Sequence, residues 1–345
     1  MIRFAASIMA CSGRDRIRNV FCTSSITAIA ALICVLPGVA AGSIKVAAIS
    51  VATMESQTAS NWDRGFALTQ TALGVGTPGL TRTEIDLVLL PEAFAVGYPP
   101  CDAHGQHCDL LSLAENRTTS LRLKAFRDLS QATGAMIVIG FIEHVPSSKG
   151  ANFYNQSVQN AVVIYDRGVE VGVHYKTWIA GCPTPPPASC RPWRDETRLL
   201  VKGGGIETWD TRLGKFAVYT CSENMAAGGW DKHKGPIDFV LSPYNCEDNG
   251  ALNGTLPAAV FPNVPGEGLV GSFPQPTCKT FKHNAYLSKK FKLPSVWADR
   301  TGTVYEGDHF IPNLGTAGVT DADGNVVAAS TRPGAEEIVV GSLTF

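Results

Sequence analysis

The chain has no surplus of charge of either sign. Its 29 Lys and Arg residues meet 30 Asp and Glu, for a formal net charge of −1. A nucleic-acid binder needs a basic surplus to displace counterions, so no nucleic-acid partner is expected. No long charged run marks a disordered tail. The apolar run at residues 26–36, broken only by Thr27, falls short of the ~20 residues that span a bilayer as a helix. No repeat, low-complexity block or linker follows residue 42. What is present is 345 residues, 45% hydrophobic and 17% charged, enough to bury one large core or two modest ones. The reading is one domain over 42–345.

The first 41 residues read as separate from that domain. Arg3, Arg14, Arg16 and Arg18 against Asp15 make a positive start. The short apolar run follows, then Pro37 and Gly38, then the small residues Val39, Ala40 and Ala41. That order predicts an export signal peptide over 1–41, with an uncleaved membrane anchor as the alternative. The protein is then expected in a periplasm or outside the cell. Three of the ten cysteines, Cys11, Cys22 and Cys34, fall in this leader. Among the seven that remain, Cys101 and Cys108 are close, Cys182 and Cys190 are close, and Cys246 and Cys278 form a long-range pair. An oxidising compartment permits these three bridges, although spacing alone leaves other connectivities open. Cys221 is then the odd thiol, which points to reactivity.

Periodicity predicts an α/β protein with mixed sheets. Residues 44–51 ("IKVAAISV"), 84–94, 135–145, 237–244 and 294–300 read as strands. Residues 61–73 read as a helix with Asn61 as N-cap, and 119–133 as a helix closed by Gly134. Residues 155–176, 205–221 and 315–330 read as hairpins turning at Asp166-Arg167-Gly168, Arg212-Leu213-Gly214 and Asp323-Gly324.

Three polar groups stand at the ends of apolar strands. Glu92 follows "LVLLP", Lys176 follows "VEVGVHY" and Cys221 follows "FAVYT". Singly, each has a bland explanation: a solvated loop carboxylate, a snorkelling lysine, a packing cysteine. Three together at strand ends, where α/β folds place reacting groups, carry more weight.

The order of segments resembles the nitrilase, or carbon–nitrogen hydrolase, superfamily. "LVLLPEAFAVGY", "IVIGFIEHVPSSKGANFYNQSVQNAVVIYDRG", "VGVHYKTW", "RDETRLLVKGGG", "FAVYTCSEN" and the closing "GTAGVTDADGNVVAASTRPGAEEIVVGSLTF" follow the family's sequence of motifs over almost the whole chain after the leader. The resemblance implies a four-layer α-β-β-α sandwich, a Glu92–Lys176–Cys221 triad, no cofactor and no metal. It also implies a small-molecule amide or nitrile substrate and a homodimer or larger homo-oligomer. In that chemistry Cys221 is the nucleophile, Glu92 the proton shuttle, and Lys176 with the Ser222 backbone N–H the oxyanion donors. The supporting second glutamate is expected at Glu196, displaced from Lys176 by the insertion "GCPTPPPASCRPW", with Glu143 and Glu223 as rivals. For Glu223 the alternative role is charge complementing a helix N-terminus. Nitrile-hydrolysing members tend to carry Cys-Trp-Glu, whereas this chain has Cys221-Ser222-Glu223, which favours an amide.

Other classes fit the residues less well. A papain-like protease would use His233, His283 or His309, but the cysteine context lacks Cys-Gly-Ser-Cys-Trp. Cys101, His104, His107 and Cys108 could hold zinc, although a small disulfide loop suits an exported chain better. A catalytically silent binding module would have no need of Glu92, Lys176 and Cys221 together. Asn116, Asn155 and Asn253 match glycosylation acceptors; Asn155 is expected instead to be a buried hydrogen-bonding residue.

Overall fold

The computed structural model describes residues 42–54, 57–75, 84–96, 109–147, 150–152, 154–179, 196–225, 229–245, 280–306, 309–332 and 334–345. In chain order these form β1 (Ser43–Ser50), β2 (Ala52–Met54), α1 (Thr58–Ala72), β3 (Leu87–Leu89), α2 (Leu121–Thr133), β4 (Met136–His144), β5 (Val158–Asp166), β6 (Val169–Tyr175), α3 (Glu196–Leu199), β7 (Thr208–Thr211) and β8 (Gly214–Val218). There follow α4 (Ser222–Met225), β9 (Phe239–Tyr244), α5 (Thr280–Phe291), β10 (Ser295–Asp299), β11 (Thr301–Glu306), β12 (His309–Leu314), β13 (Ala317–Thr320), β14 (Val326–Ala329) and β15 (Glu337–Thr344).

Two six-stranded sheets run in the orders β15-β1-β3-β4-β5-β6 and β14-β13-β10-β9-β8-β7. A small third sheet, β12-β11-β2, joins short strands. Both large sheets are mixed: β1, β3 and β4 are parallel, as are β8, β9 and β10, while the outer strands are antiparallel. β1 pairs with β15 from Ser43↔Thr344 to Ser50↔Glu337.

Strand alternation builds the layers. Met136 and Val138 of β4 join Phe216, Val218, Phe239 and Leu241 in one core between the sheets. Their neighbours Ile137 and Ile139 turn the other way, against Trp62 of α1 and Leu123, Phe126 and Leu129 of α2. On the far side Tyr219 and Val240 meet Trp230 and Leu287 of α5. The result is the expected α-β-β-α sandwich. Each fully buried large side chain contributes ~1.5–3 kcal/mol by leaving water.

Local chemistry explains most element ends. The Ser120 hydroxyl accepts from Leu123 N at 3.2 Å, and Gly134 at φ 74° closes α2. The β5–β6 turn puts Arg167 at φ 52° and Gly168 at φ 80°, the left-handed pair of a tight hairpin. Two expectations are corrected. Asn61 is not an N-cap, because α1 begins at Thr58. Its side chain instead clamps Met54 N at 3.1 Å, Met54 O at 2.8 Å and Ala95 O at 3.0 Å. Asn155 is exposed at φ 56°. The hydrogen-bonding residue of that turn is Asn152, whose Oδ1 accepts from Tyr154 N and Gln156 N and whose Nδ2 donates to Leu199 O. No helix among the described residues is long and apolar enough to cross a membrane.

Gly140, in the middle of β4, lies under the segment that follows β3. A Cβ there would stand 2.3 Å from Pro91 O and 2.6 Å from Glu92 Cα. Neither neighbour is a flexible side-chain end, so the Gly140→Ala protein should lose ~1–3 kcal/mol of stability through overpacking. Urea denaturation checks this; an unchanged midpoint would contradict the close packing described.

Candidate active site

Glu92, Lys176 and Glu196 converge in the interior. Glu92 follows β3, and its N–H donates to Tyr244 O at the end of β9 at 3.2 Å. Its side chain is fully buried. Oε1 accepts from Lys176 Nζ at 2.7 Å and from Asn160 Nδ2 at 2.6 Å. Oε2 is buried and has no hydrogen-bond partner among the described residues. Lys176 leaves β6 with its N–H donating to Asn160 O at 2.9 Å. Its Nζ also reaches Glu196 Oε1 at 2.8 Å and Oε2 at 2.9 Å. Asn160, on β5, therefore holds both the backbone of the lysine and the side chain of the glutamate.

Burial and charge pairing compete in the electrostatics. The Glu92 carboxyl is pushed up by burial, against the pull of Lys176. Burial draws the Lys176 ammonium down, but Glu196 and then Glu92 outweigh it and hold the amine well above its ordinary range. The ammonium thus stays charged because two carboxylates surround it.

Cys221 follows β8 at the turn into α4, half-buried and unpaired. Its backbone sits at φ 43°, a left-handed conformation that costs a non-glycine residue ~1–3 kcal/mol and tends to mark functional sites. Its N–H donates to Pro243 O at 2.9 Å, and its thiol faces Asn245 O at 3.8 Å. Burial, then Glu92, raises the thiol well above its usual value, while Lys176 opposes them. The resting group is therefore a neutral thiol that interacts electrostatically with Glu92, Lys176 and Glu196.

Ser222 opens α4, and its amide is among those that a first helical turn leaves without an intrahelical acceptor. Its hydroxyl donates to Trp178 O at 2.5 Å. Glu223 ties the cysteine segment to the lysine segment. It accepts from His174 Nε2 at 2.7 Å, Thr220 N at 2.7 Å and Thr177 N at 2.5 Å. Burial raises this carboxyl, but His174 and the two amides more than compensate and hold it below its ordinary value.

Of the three candidate supporting glutamates, Glu196 is the one at Lys176. Glu143 pairs with Arg117 at 3.1 Å, and Glu223 faces His174. Neither His233 nor His283 bonds to Cys221: His233 meets the Tyr219 hydroxyl, and His283 donates to Asn224 O. Cys101, His104, His107, Cys108, Cys182, Cys190, Cys246, Cys278, Asn253 and the proline-rich insertion lie outside the described residues, as do the leader and the side chain of His309. Asn160, His174 and Asn224 were not picked out by sequence. For Asn160 and His174 the signal was a polar residue within a strand; Asn224 lies in α4 and carried no such signal.

The carbon-nitrogen hydrolase family model matches residues 45–230, more than half of the 345 residues. The chain belongs to the carbon–nitrogen hydrolase family. No curated protein matches it at a significant level. A carbon-nitrogen hydrolase from Helicobacter pylori is similar in structure, with TM-score 0.60 at 15% identity over 88% of this chain and 89% of that one. A CN-hydrolase superfamily protein from Xanthomonas campestris, with an arsenic adduct in its active site, gives 0.57 at 13% over 87% and 90%. A mutant amidase from a Nesterenkonia species, showing covalent addition of the acetamide moiety of fluoroacetamide at its active site cysteine, gives 0.54 at 13% over 87% and 90%. At these identities the likeness establishes the fold.

The Glu223 bonds make a pH prediction. A carboxyl depressed on folding stabilises above its unfolded pKa of ~4.3, and that contribution is lost as pH falls toward the folded value. The Glu223→Gln protein should be ~1–3 kcal/mol less stable at pH 7, and the gap should start to narrow as pH falls below ~4, closing only below the depressed folded value. Urea midpoints across this range test it; a gap that persists undiminished at pH ~3 would refute the assignment.

Proposed function

We propose that this protein hydrolyses a non-peptide carbon–nitrogen bond, an amide, through a thioester on Cys221. The observation that carries this reading is the buried set around Lys176: a glutamate with one oxygen engaged and the other open, next to a neutral thiol.

Glu92 takes the Cys221 proton as sulfur attacks the carbonyl carbon. The developing oxyanion is met by Lys176 Nζ and Ser222 N–H. Lys176 Nζ has three protons and three carboxylate oxygens at 2.7–2.9 Å, so giving one proton to the substrate requires the two Glu196 oxygens to share another. Such a donor is typically worth ~3–4 kcal/mol of barrier. The protonated Glu92 then gives its proton to the departing nitrogen, the C–N bond breaks and the thioester remains. Glu92 next takes a proton from water as its oxygen attacks the thioester. The acid leaves and the proton returns to sulfur. Glu196 fixes the lysine throughout. A raised Glu92 pKa suits a group that must accept and donate in one cycle.

Nitrile hydrolysis is the alternative on the same residues, disfavoured because Ser222 stands where tryptophan is usual. Acyl transfer would differ in the acceptor of the thioester. We further propose that residues 1–41 direct export as a signal peptide, that the protein works in the periplasm or outside the cell, and that it assembles as a homodimer or larger homo-oligomer.

Ammonia release from a panel of small amides and nitriles tests the reaction. Cys221→Ala should abolish it with folding intact, and Glu92→Gln should lower it at least ~100-fold. A Cys221→Ala protein that releases ammonia at the original rate would refute the mechanism. The export reading has its own check. Mass mapping of non-reduced peptides should find Cys101–Cys108 and Cys182–Cys190 linked; free thiols throughout would overturn it.

A further inference from the structure

Cys221 holds an unfavourable backbone conformation, so something must hold it there. Its own N–H bond to Pro243 O fixes one side. The other side rests on Asn224, a buried residue two positions beyond Ser222. Asn224 N donates to Cys221 O at 3.0 Å, and Asn224 Nδ2 donates to the same oxygen at 3.2 Å. The second Nδ2 proton goes to Tyr219 O at 2.7 Å. One side-chain amide thus grips the chain both before and at the thiol-bearing residue.

The far end of that amide is equally engaged. Oδ1 accepts from Trp230 Nε1 at 2.7 Å and from Ser242 Oγ at 3.0 Å. An asparagine amide has two donor protons and two acceptor lone pairs, and all four are used. The orientation needs no choice: an indole nitrogen donates and peptide carbonyls accept, so oxygen faces Trp230 and nitrogen faces the chain. Trp230 and Ser242 are both fully buried, the latter on β9. His283 of α5 adds a bond from Nε2 to Asn224 O at 2.8 Å.

We propose that Asn224 is the positioning residue of the nucleophile: it transfers the rigidity of β9 and the Trp230 indole to the Cys221 backbone and so aims the thiol. This rests on Cys221 being the nucleophile, but adds a role the reaction scheme does not require. The Asn224 side chain bonds to backbone carbonyls, Trp230 and Ser242, not to the sulfur. Asp has the same shape and lacks both donor protons, so Asn224→Asp turns two attractive contacts with carbonyls into repulsive ones.

The test has two independent readings: steady-state amide turnover, and the rate at which iodoacetamide alkylates Cys221, followed by mass spectrometry. Asn224→Asp should lower kcat on the order of 100-fold, the usual penalty of a misplaced reacting group, with KM little changed and alkylation slowed. Trp230→Phe and Ser242→Ala each release one Oδ1 bond and should each lower kcat about tenfold. In these two uncharged variants the pH profile of kcat/KM should drop in height without moving its limbs. A folded Asn224→Asp protein with wild-type kcat and alkylation rate overturns the proposal. Should Asn224→Asp not fold, wild-type kcat in both Trp230→Phe and Ser242→Ala overturns it. A shifted pH limb also overturns it, since Asn224 would then act on a proton. If Cys221→Ala retains turnover, the reaction scheme has failed, and the alkylation rates alone decide the positioning role.

Discussion

An ammonium group taken out of water is costly unless opposite charge surrounds it, and Lys176 Nζ is such a group. Glu92 and Glu196 supply that charge, and Asn160 braces one of them. The four come from the end of β3, the body of β5, the end of β6 and the start of α3. None can be withdrawn without leaving a buried charge or donor uncompensated. The fold around this point is therefore constrained in a way the rest of the core, which asks for shape and apolarity, is not.

The two sheets meet that constraint by orientation. β1, β3 and β4 are parallel in one sheet and β8, β9 and β10 in the other. Glu92 and Cys221 both follow the C-terminal end of such a strand. The Glu92 N–H to Tyr244 O bond joins the end of β3 to the end of β9, and the Cys221 N–H to Pro243 O bond ties the segment after β8 to the same strand. β9 thus serves both residues as a shared backbone reference.

Much of this was legible in the sequence because it rests on short-range chemistry. Near-continuous apolar runs marked β1, β4 and β9, as strands buried on both faces do, and Gly168 and Gly324 marked hairpin turns through the positive φ they adopt. Glu92, Lys176 and Cys221 were visible as polar residues ending apolar strands. The third sheet was not: β2 is three residues long, and β11 and β12 carry no clean alternation, so their pairing is decided by distant partners. α5 was missed because "TFKHNAYLSKKF" mixes cations into its apolar spacing. The roles of Asn61, Asn152, Asn155 and Asn160 depend on which way each amide turns in three dimensions, and residue type says nothing of that.

The pairing of β1 with β15 bears on how the molecule is made. Ser43 meets Thr344 and Ser50 meets Glu337, so a strand synthesised near the beginning waits for one synthesised some three hundred positions later. Contacts of such long sequence separation are slow to form, since the loop between them must first be closed. Phe345, just beyond β15, also packs in a tilted arrangement against Phe239 of the other sheet, 5.2 Å between ring centroids, so the same late segment closes the inter-sheet core. During the interval β1 presents an open edge and unpaired amides that another nascent chain could take up. Folding of this protein should accordingly finish in one late step, and its vulnerability to misassociation belongs to the time before that step.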